Sequence, residues 1–183
     1  SLVPALPISF GIFVSIKIEA MLVHAHSGLR WVALLLLIFA IYNAFSGVRS
    51  GSYSKKDKMV TLFTMVMFHI QLVLGLALYF TSGKVNFSEN WMQITQFRFY
   101  GLEHLVGMIL AIVFVTLGYS LAKRIDDPVK KHKKTLIYFT IGLFLVLIFI
   151  PSAAGIAHEA IGFGDFSIST KHILQFPAIE SLS

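Results

Sequence analysis

The sequence contains no cysteine and few charged residues. Without cysteine the chain cannot form disulfide bonds, attach haem covalently as c-type cytochromes do, bind an iron–sulfur cluster or build a thiolate zinc site. Charged residues make up 13% of its 183 residues, 56% are hydrophobic, and the mean hydropathy is +0.79. A soluble domain needs more charge on its surface, so this composition excludes an ordinary soluble protein.

Familiar catalytic motifs are also missing. There is no P-loop, no dinucleotide-binding fingerprint, no zinc-protease motif and no serine nucleophile elbow. No internal repeat indicates an inverted-repeat transporter. The sequence therefore leaves open whether the protein is an enzyme.

Four long apolar runs dominate what is present: residues 29–47, 59–80, 99–122 and 135–154. Each approaches or exceeds the roughly 20 residues that a helix needs to cross a bilayer. Apolar and polar residues do not alternate in these runs, which favours helices over a barrel. Because the connections are short, we predict an all-α, integral membrane four-helix bundle with up-down-up-down topology, occupying residues 21–155.

Two flanking segments lie outside this domain. Residues 1–20 contain an apolar run interrupted by Pro4, Pro7 and Gly11, which reaches about 22 Å as a helix and is too short to span. We predict an interfacial or re-entrant segment there, with helix one beginning near Met21, and residues 1–20 could be an upstream extension. Residues 156–183 form a mixed tail that we expect on the non-cytoplasmic side.

The formal net charge of +6 comes mainly from two loops, residues 49–58 and 123–134. Basic loops stay in the cytoplasm, so the pattern predicts a bacterial inner-membrane protein with both termini and the 81–98 loop on the outer side. Lipid is then the expected partner of the basic loops, and the charge gives no reason to expect nucleic acid. His132, among these lysines, is expected to be solvated.

Histidines are the main candidates for chemistry. The predicted topology brings His24, His26, His104 and His158 to the outer membrane face, from three separate segments. His69 falls near the middle of helix two. Any one of them could simply hydrogen bond within the bundle, but ionisable residues in a membrane span indicate function by default.

A pair of histidines at similar depth could ligate one haem iron. Counting along the helices, His26 and His104 differ in depth by about 5 Å, whereas His69 and His104 differ by about 10 Å. We therefore predict His26 and His104 as the axial ligands of haem b, with His69 as a substitute or second-site ligand.

Neighbouring residues fit this prediction. Gly101 and Gly107 lie three residues to either side of His104. Because glycine has no side chain, these positions would leave room for a flat porphyrin. Small residues also allow helices to pack closely. Arg30 and Arg98 could neutralise haem propionates. Glu103 points away from His104 and is expected to pair with an arginine or to serve proton uptake at a quinone site.

Three stretches carry a resemblance to a known family: "HAHSGLRWVALLLLIFAIYNAFSG", "MVMFHIQLVLGLALYF" and "RFYGLEHLVGMILAIVFVTLGY". Over residues 21–151 the chain resembles small four-helix membrane proteins of flavobacteria-like bacteria that are commonly labelled cytochrome B. The resemblance implies b-type haem, with electron transfer to quinone or to a membrane redox partner. More distantly, Glu103, His104 and Gly107 are similar to helices of haem A synthases, but the arginine that usually follows the histidine is missing.

Two alternatives remain open at this point. The protein could be a haem-free accessory subunit of a larger membrane complex, with its histidines hydrogen bonding between helices. It could instead hold a transition metal at the outer face, because imidazole and carboxylate ligands suit zinc, copper or iron. The candidate ligands for that metal are His24, His26, His104, His158 and Glu159, with Glu103 as a further ligand.

Overall fold

The computed structural model describes residues 6–150, with side chains from residue 17 onward. This part of the chain contains four long helices and no strand: α1 (Leu6–Ser50), α2 (Lys55–Thr81), α3 (Thr95–Lys123) and α4 (Pro128–Phe149). All four are long and apolar enough to cross a membrane. The predicted all-α four-helix bundle is confirmed.

Local sequence signals set the starts of α2 and α4. Ser54 and Asp57 form a capping box at the start of α2, and the Asp57 carboxylate also accepts a hydrogen bond from Asn43 of α1 at 2.5 Å. Asp127 caps α4 through the backbone N–H of Lys130, and Pro128 occupies the first turn, where its missing N–H costs no hydrogen bond. These caps supply acceptors for N–H groups that have no partner within the helix.

Helix α1 is much longer than predicted. It runs from Leu6 without a break, so α1 begins before the predicted start near Met21, and residues 6–20 belong to the same helix. Pro7 lies in the first turn, where proline needs no hydrogen-bond partner and therefore does not interrupt a helix. The 45 residues of α1 extend over roughly 68 Å, about twice the hydrocarbon thickness.

The helices form a ring in which α1 contacts α2 and α4, and α3 contacts α2 and α4. The α3–α4 contact is the most extensive and the α2–α3 contact the least. Small residues explain the close α3–α4 packing, since Gly107, Gly118 and Gly142 all lie directly against side chains of the facing helix. The fully buried core includes Leu37, Val115 and Phe139.

One end of the bundle, here called the basic end, carries the two basic loops, residues 49–58 and 123–134. The fold brings them together, because His132 Nε2 donates a hydrogen bond to the Ser52 carbonyl at 2.9 Å. His132 is only 2% exposed, so the expectation that it is solvated is wrong. Its ring packs on Gly47, where any side chain would overlap it.

Apolar side chains also cover the outside of the bundle. Leu35, Val73, Leu110 and Phe144, one from each helix, are all exposed. Such a surface is stable against lipid but not against water. The fold is therefore that of a multi-pass membrane protein in contact with the lipid bilayer. The predicted 156–183 tail lies outside the described residues.

Candidate functional site

A cavity of about 270 Å³ lies at the end of the bundle opposite the basic end. It is lined by all four helices and by the start of the 82–94 connection, and most of its wall is apolar. The lining residues whose side chains carry a polar atom are His26, Ser27, Arg30, Gln71, Tyr79, Ser82, Lys84, Tyr100 and His104. A largely apolar cavity with a few convergent polar groups is the usual form of a ligand site.

His26 of α1 and His104 of α3 face each other in this cavity. Their ring centroids are 6.5 Å apart and the ring planes are inclined at 82°. Two imidazoles bound to opposite sides of one metal ion, each with a metal–nitrogen bond of about 2.0–2.1 Å, have centroids roughly 6.3 Å apart. The two histidines that were paired by depth from the sequence therefore lie close together, at a separation compatible with two ligands of one ion; their role as ligands stays a prediction.

A π-helical turn precedes His104. Residues Phe99–Glu103 adopt this wider turn, and regular α-helix begins at His104 itself. The Gly101 carbonyl within it accepts a hydrogen bond from the Tyr79 hydroxyl at 3.1 Å. Turns of this kind are rare and occur frequently at functional sites. It coincides with the "RFYGLEH" stretch that the sequence singled out, but nothing in the sequence indicated the change in helical pitch.

The orientation of His104 is fixed by the end of α4. Its Nδ1 lies 2.8 Å from the carbonyl oxygen of Phe149, the last residue of that helix. A carbonyl oxygen only accepts, so Nδ1–H is the donor and Nε2 of the neutral ring keeps its lone pair. Metal-bound histidines are commonly held in this way, with one ring nitrogen on a carbonyl and the other on the metal.

Among the described residues, three buried polar atoms of the cavity wall have no hydrogen-bond partner: His26 Nδ1, Arg30 Nε and Gln71 Oε1. Buried polar atoms are normally paired, because leaving one unpaired costs about 1–3 kcal/mol. Their clustering around one cavity indicates that the cavity is built to receive a polar or charged group, or water.

Positive charge in the cavity differs from the prediction in one respect. Arg30 lines the cavity as expected, but Arg98 does not: its Nε forms a salt bridge with Glu103 Oε1 at 2.7 Å. This salt bridge confirms that Glu103 pairs with an arginine. Lys84, which was not among the predicted site residues, lines the cavity instead, and its Nζ lies 5.2 Å from the Tyr100 ring centroid.

The two predicted glycines do not border the cavity. A side chain on Gly107 would overlap the Phe149 ring, and Gly101 faces Phe87 and Trp91 of the connecting segment. Both therefore serve packing, and the π turn shifts Gly101 off the face that regular helical spacing predicts. The glycine beside an imidazole is Gly75 of α2, whose added Cβ would lie 3.3 Å from His26 Cε1.

His69 and His24 lie away from the cavity. His69 is exposed on the outer face of α2, and its Nδ1 donates to the Met65 carbonyl at 2.8 Å. It therefore does not approach His104. His24 is exposed on α1, which is helical through both residues, so His24 and His26 diverge. Gln71, Gly75 and Tyr79 occupy the cavity-facing stripe of α2, at a spacing of four residues that is visible in the sequence.

No group of three or more histidine, aspartate or glutamate side chains that could hold a metal ion occurs in the described part of the chain. His158 and Glu159, two of the predicted ligands of an outer-face metal, lie outside it. A haem iron differs from such a metal, because the porphyrin supplies four of its ligands and the protein needs to supply only one or two.

Comparison of the chain with protein-family models, with curated proteins and with solved structures found no match. The resemblance to small cytochrome B proteins therefore stays a prediction. Fold and site together define a class: a multi-pass helical membrane protein with a histidine-lined cavity at one end of a four-helix bundle.

Proposed function

We propose that this protein is a membrane b-type cytochrome that holds haem b between His26 and His104 and exchanges electrons with quinone or a membrane redox partner. The observation that carries the proposal is the pair of imidazoles facing each other across the cavity with ring centroids 6.5 Å apart. They come from two helices that are diagonal in the ring of four, so the two imidazoles approach the cavity from opposite walls.

The surrounding groups fit a haem. The bond between His104 Nδ1–H and the Phe149 carbonyl leaves Nε2 available for iron. Arg30 and Lys84 provide cations for the two propionates, and Arg30 has no carboxylate partner among the residues described. Gly75 leaves room beside the His26 ring.

The haem iron, when bound, supplies the one-electron chemistry. The protein's own residues bind and orient the group: the imidazoles fix its position, and Leu34, Met108 and Val146 exclude water from it. Burial in this apolar wall and the charge of Arg30 would set its potential. A quinone dissolved in the bilayer would approach the site from within the membrane, without passing through water.

We also propose the orientation in the membrane. The two basic loops meet at the basic end, as the contact of His132 with Ser52 requires, so both can lie on the same side. With that end in the cytoplasm of a bacterial inner membrane, the cavity and both termini lie towards the outer side.

The absorption spectrum of the purified protein tests the haem proposal. Protein prepared in mild detergent from haem-replete cells should show a Soret band and, after reduction, a sharp α-band, with one haem per chain by pyridine haemochrome assay. His104→Ala and His26→Ala should lose most of the haem. A colourless wild-type preparation that is folded by circular dichroism would contradict the proposal.

A second candidate is a haem-free accessory subunit of a larger membrane complex. Exposed His69, near the middle of α2, favours it, because its Nε2 is left without a donor on the lipid-facing surface. A helix of a partner protein could supply that donor. Stoichiometric co-purification without haem would support this candidate, and a stable monomer that carries haem would argue against it.

A further inference from the structure

The two proposed ligands are held differently. His104 donates its Nδ1–H to a main-chain carbonyl, that of Phe149. His26 Nδ1 is buried and forms no hydrogen bond with a described residue, although the imidazole lies near the main-chain carbonyl of Gln71. An imidazole ligand needs an acceptor at the nitrogen opposite the metal, because that bond fixes both the tautomer and the ring orientation.

Gln71 of α2 is placed to supply this acceptor. Its Nε2 donates to the main-chain carbonyl of His26 at 3.3 Å, so its side-chain amide already lies against this histidine. Its Oε1 is the other atom of the same amide group, and it is buried without a donor. An unpaired acceptor and an unpaired imidazole nitrogen therefore border the same cavity, on residues already joined by a hydrogen bond.

Gly75 leaves the space that such pairing requires. It follows Gln71 by one helical turn, and the His26 ring lies directly against it. A larger residue here would press on the imidazole and prevent its adjustment towards the amide oxygen.

We infer that Gln71 is the positioning residue of His26: its Oε1 accepts the Nδ1–H of the imidazole, so that His26 Nε2 faces Nε2 of His104. This inference rests on the proposed function for the role of the histidine pair, but the tautomer of His26 can be measured without haem. Gln71 then keeps both His26 groups in place, the carbonyl through Nε2 and the ring through Oε1.

The first experiment uses haem-free full-length protein with ¹⁵N-labelled histidine in lipid. The His26 signals, assigned by their loss in His26→Asn, should show the proton on Nδ1. Gln71→Leu should shift the proton towards Nε2, whereas Gln71→Glu, which retains an acceptor, should keep it on Nδ1. His69→Leu, a polar-to-leucine change on the outer face of the same helix, is the matched control and should leave His26 unchanged.

The second experiment uses the haem-loaded protein. Gln71→Leu should weaken haem binding by about 10- to 100-fold, the usual effect of removing such an acceptor. Gln71→Glu should retain haem and lower its midpoint potential, because a carboxylate acceptor makes the imidazole a stronger ligand. His69→Leu should change neither quantity.

The two experiments separate the possible failures. If wild-type protein binds no haem but His26 carries its proton on Nδ1 in a manner that depends on Gln71, the positioning role stands and the haem proposal fails. If His26 carries its proton on Nε2 in the wild type, or if Gln71→Leu leaves both its tautomer and the haem affinity unchanged, the positioning role is overturned.

Discussion

His69 separates two arrangements of the proposed ligands. Because its ring faces outward and binds only the Met65 carbonyl, we expect His69→Ala to leave the haem spectrum intact. The lost hydrogen bond should cost about 1 kcal/mol at most, measurable as a small fall in the thermal midpoint. Loss of the Soret band in His69→Ala, with its retention in His26→Ala, would show that His69 and His104 are the ligands instead.

Gly75 is the residue at which added volume should matter most for the site. Gly75→Leu would fill the space beside the His26 ring, so we expect it to abolish haem binding while the helices stay folded. Gly28→Leu is the matched control, since Gly28 is an exposed residue of α1 with no neighbouring atom within 4 Å of an added Cβ. Haem content per folded chain is the measurement, and equal content in the two variants would contradict the placement of the cavity.

The close packing of α3 against α4 predicts that added volume at Gly118 destabilises the bundle. A Cβ on Gly118 would lie 2.8 Å from Tyr138 Cβ, an atom close to the backbone that cannot rotate away. We expect Gly118→Ala to destabilise the bundle by about 1–3 kcal/mol through overpacking. Gly28→Ala should be neutral or slightly stabilising, because alanine favours a helix and nothing opposes it there. Unfolding in a detergent–denaturant series would compare the two, and equal stability would contradict the close approach.

The start of α1 and the pitch of α3 show what the sequence could not predict about the elements. Hydrophobic runs gave the number, order and approximate ends of the crossing helices, because a bilayer imposes a length on each of them. They could not show that residues 6–20 continue α1, since an apolar run with prolines also fits a re-entrant segment. Regular helical spacing also failed from Phe99 to Glu103, where the π turn moves Gly101 off the His104 face.

The position of a residue along its helix indicated which side chains lie at the same depth. The direction in which each side chain points around its helix could not be predicted. Counting residues placed His26 and His104 at similar depth, and the structure places their rings next to each other. Which atoms meet depends on the rotation of each helix about its axis, and the sequence does not give it. For that reason Arg98 and Gly107 looked like site residues, whereas Gln71 and Lys84 were missed.

The absence of cysteine makes orientation in the membrane directly measurable for the whole molecule. Single cysteines can be placed at exposed Ser52, in the basic end, and at exposed Ser88, in the connection between α2 and α3. If the basic end is cytoplasmic, a membrane-impermeant maleimide should label Ser88→Cys in intact cells, and Ser52→Cys only after lysis. The reverse pattern would place the basic loops and the cavity on the opposite sides from those proposed.

Ligation of one haem by His26 and His104 is tested most directly by electron paramagnetic resonance of the oxidised, purified protein. Wild-type protein should give a low-spin signal typical of two imidazole ligands. In His26→Ala the remaining haem should become high-spin, with His104 as its single protein ligand, and added imidazole should restore the low-spin signal. A wild-type protein without a haem signal, or a His26→Ala spectrum identical to that of the wild type, would contradict the assignment of these two histidines.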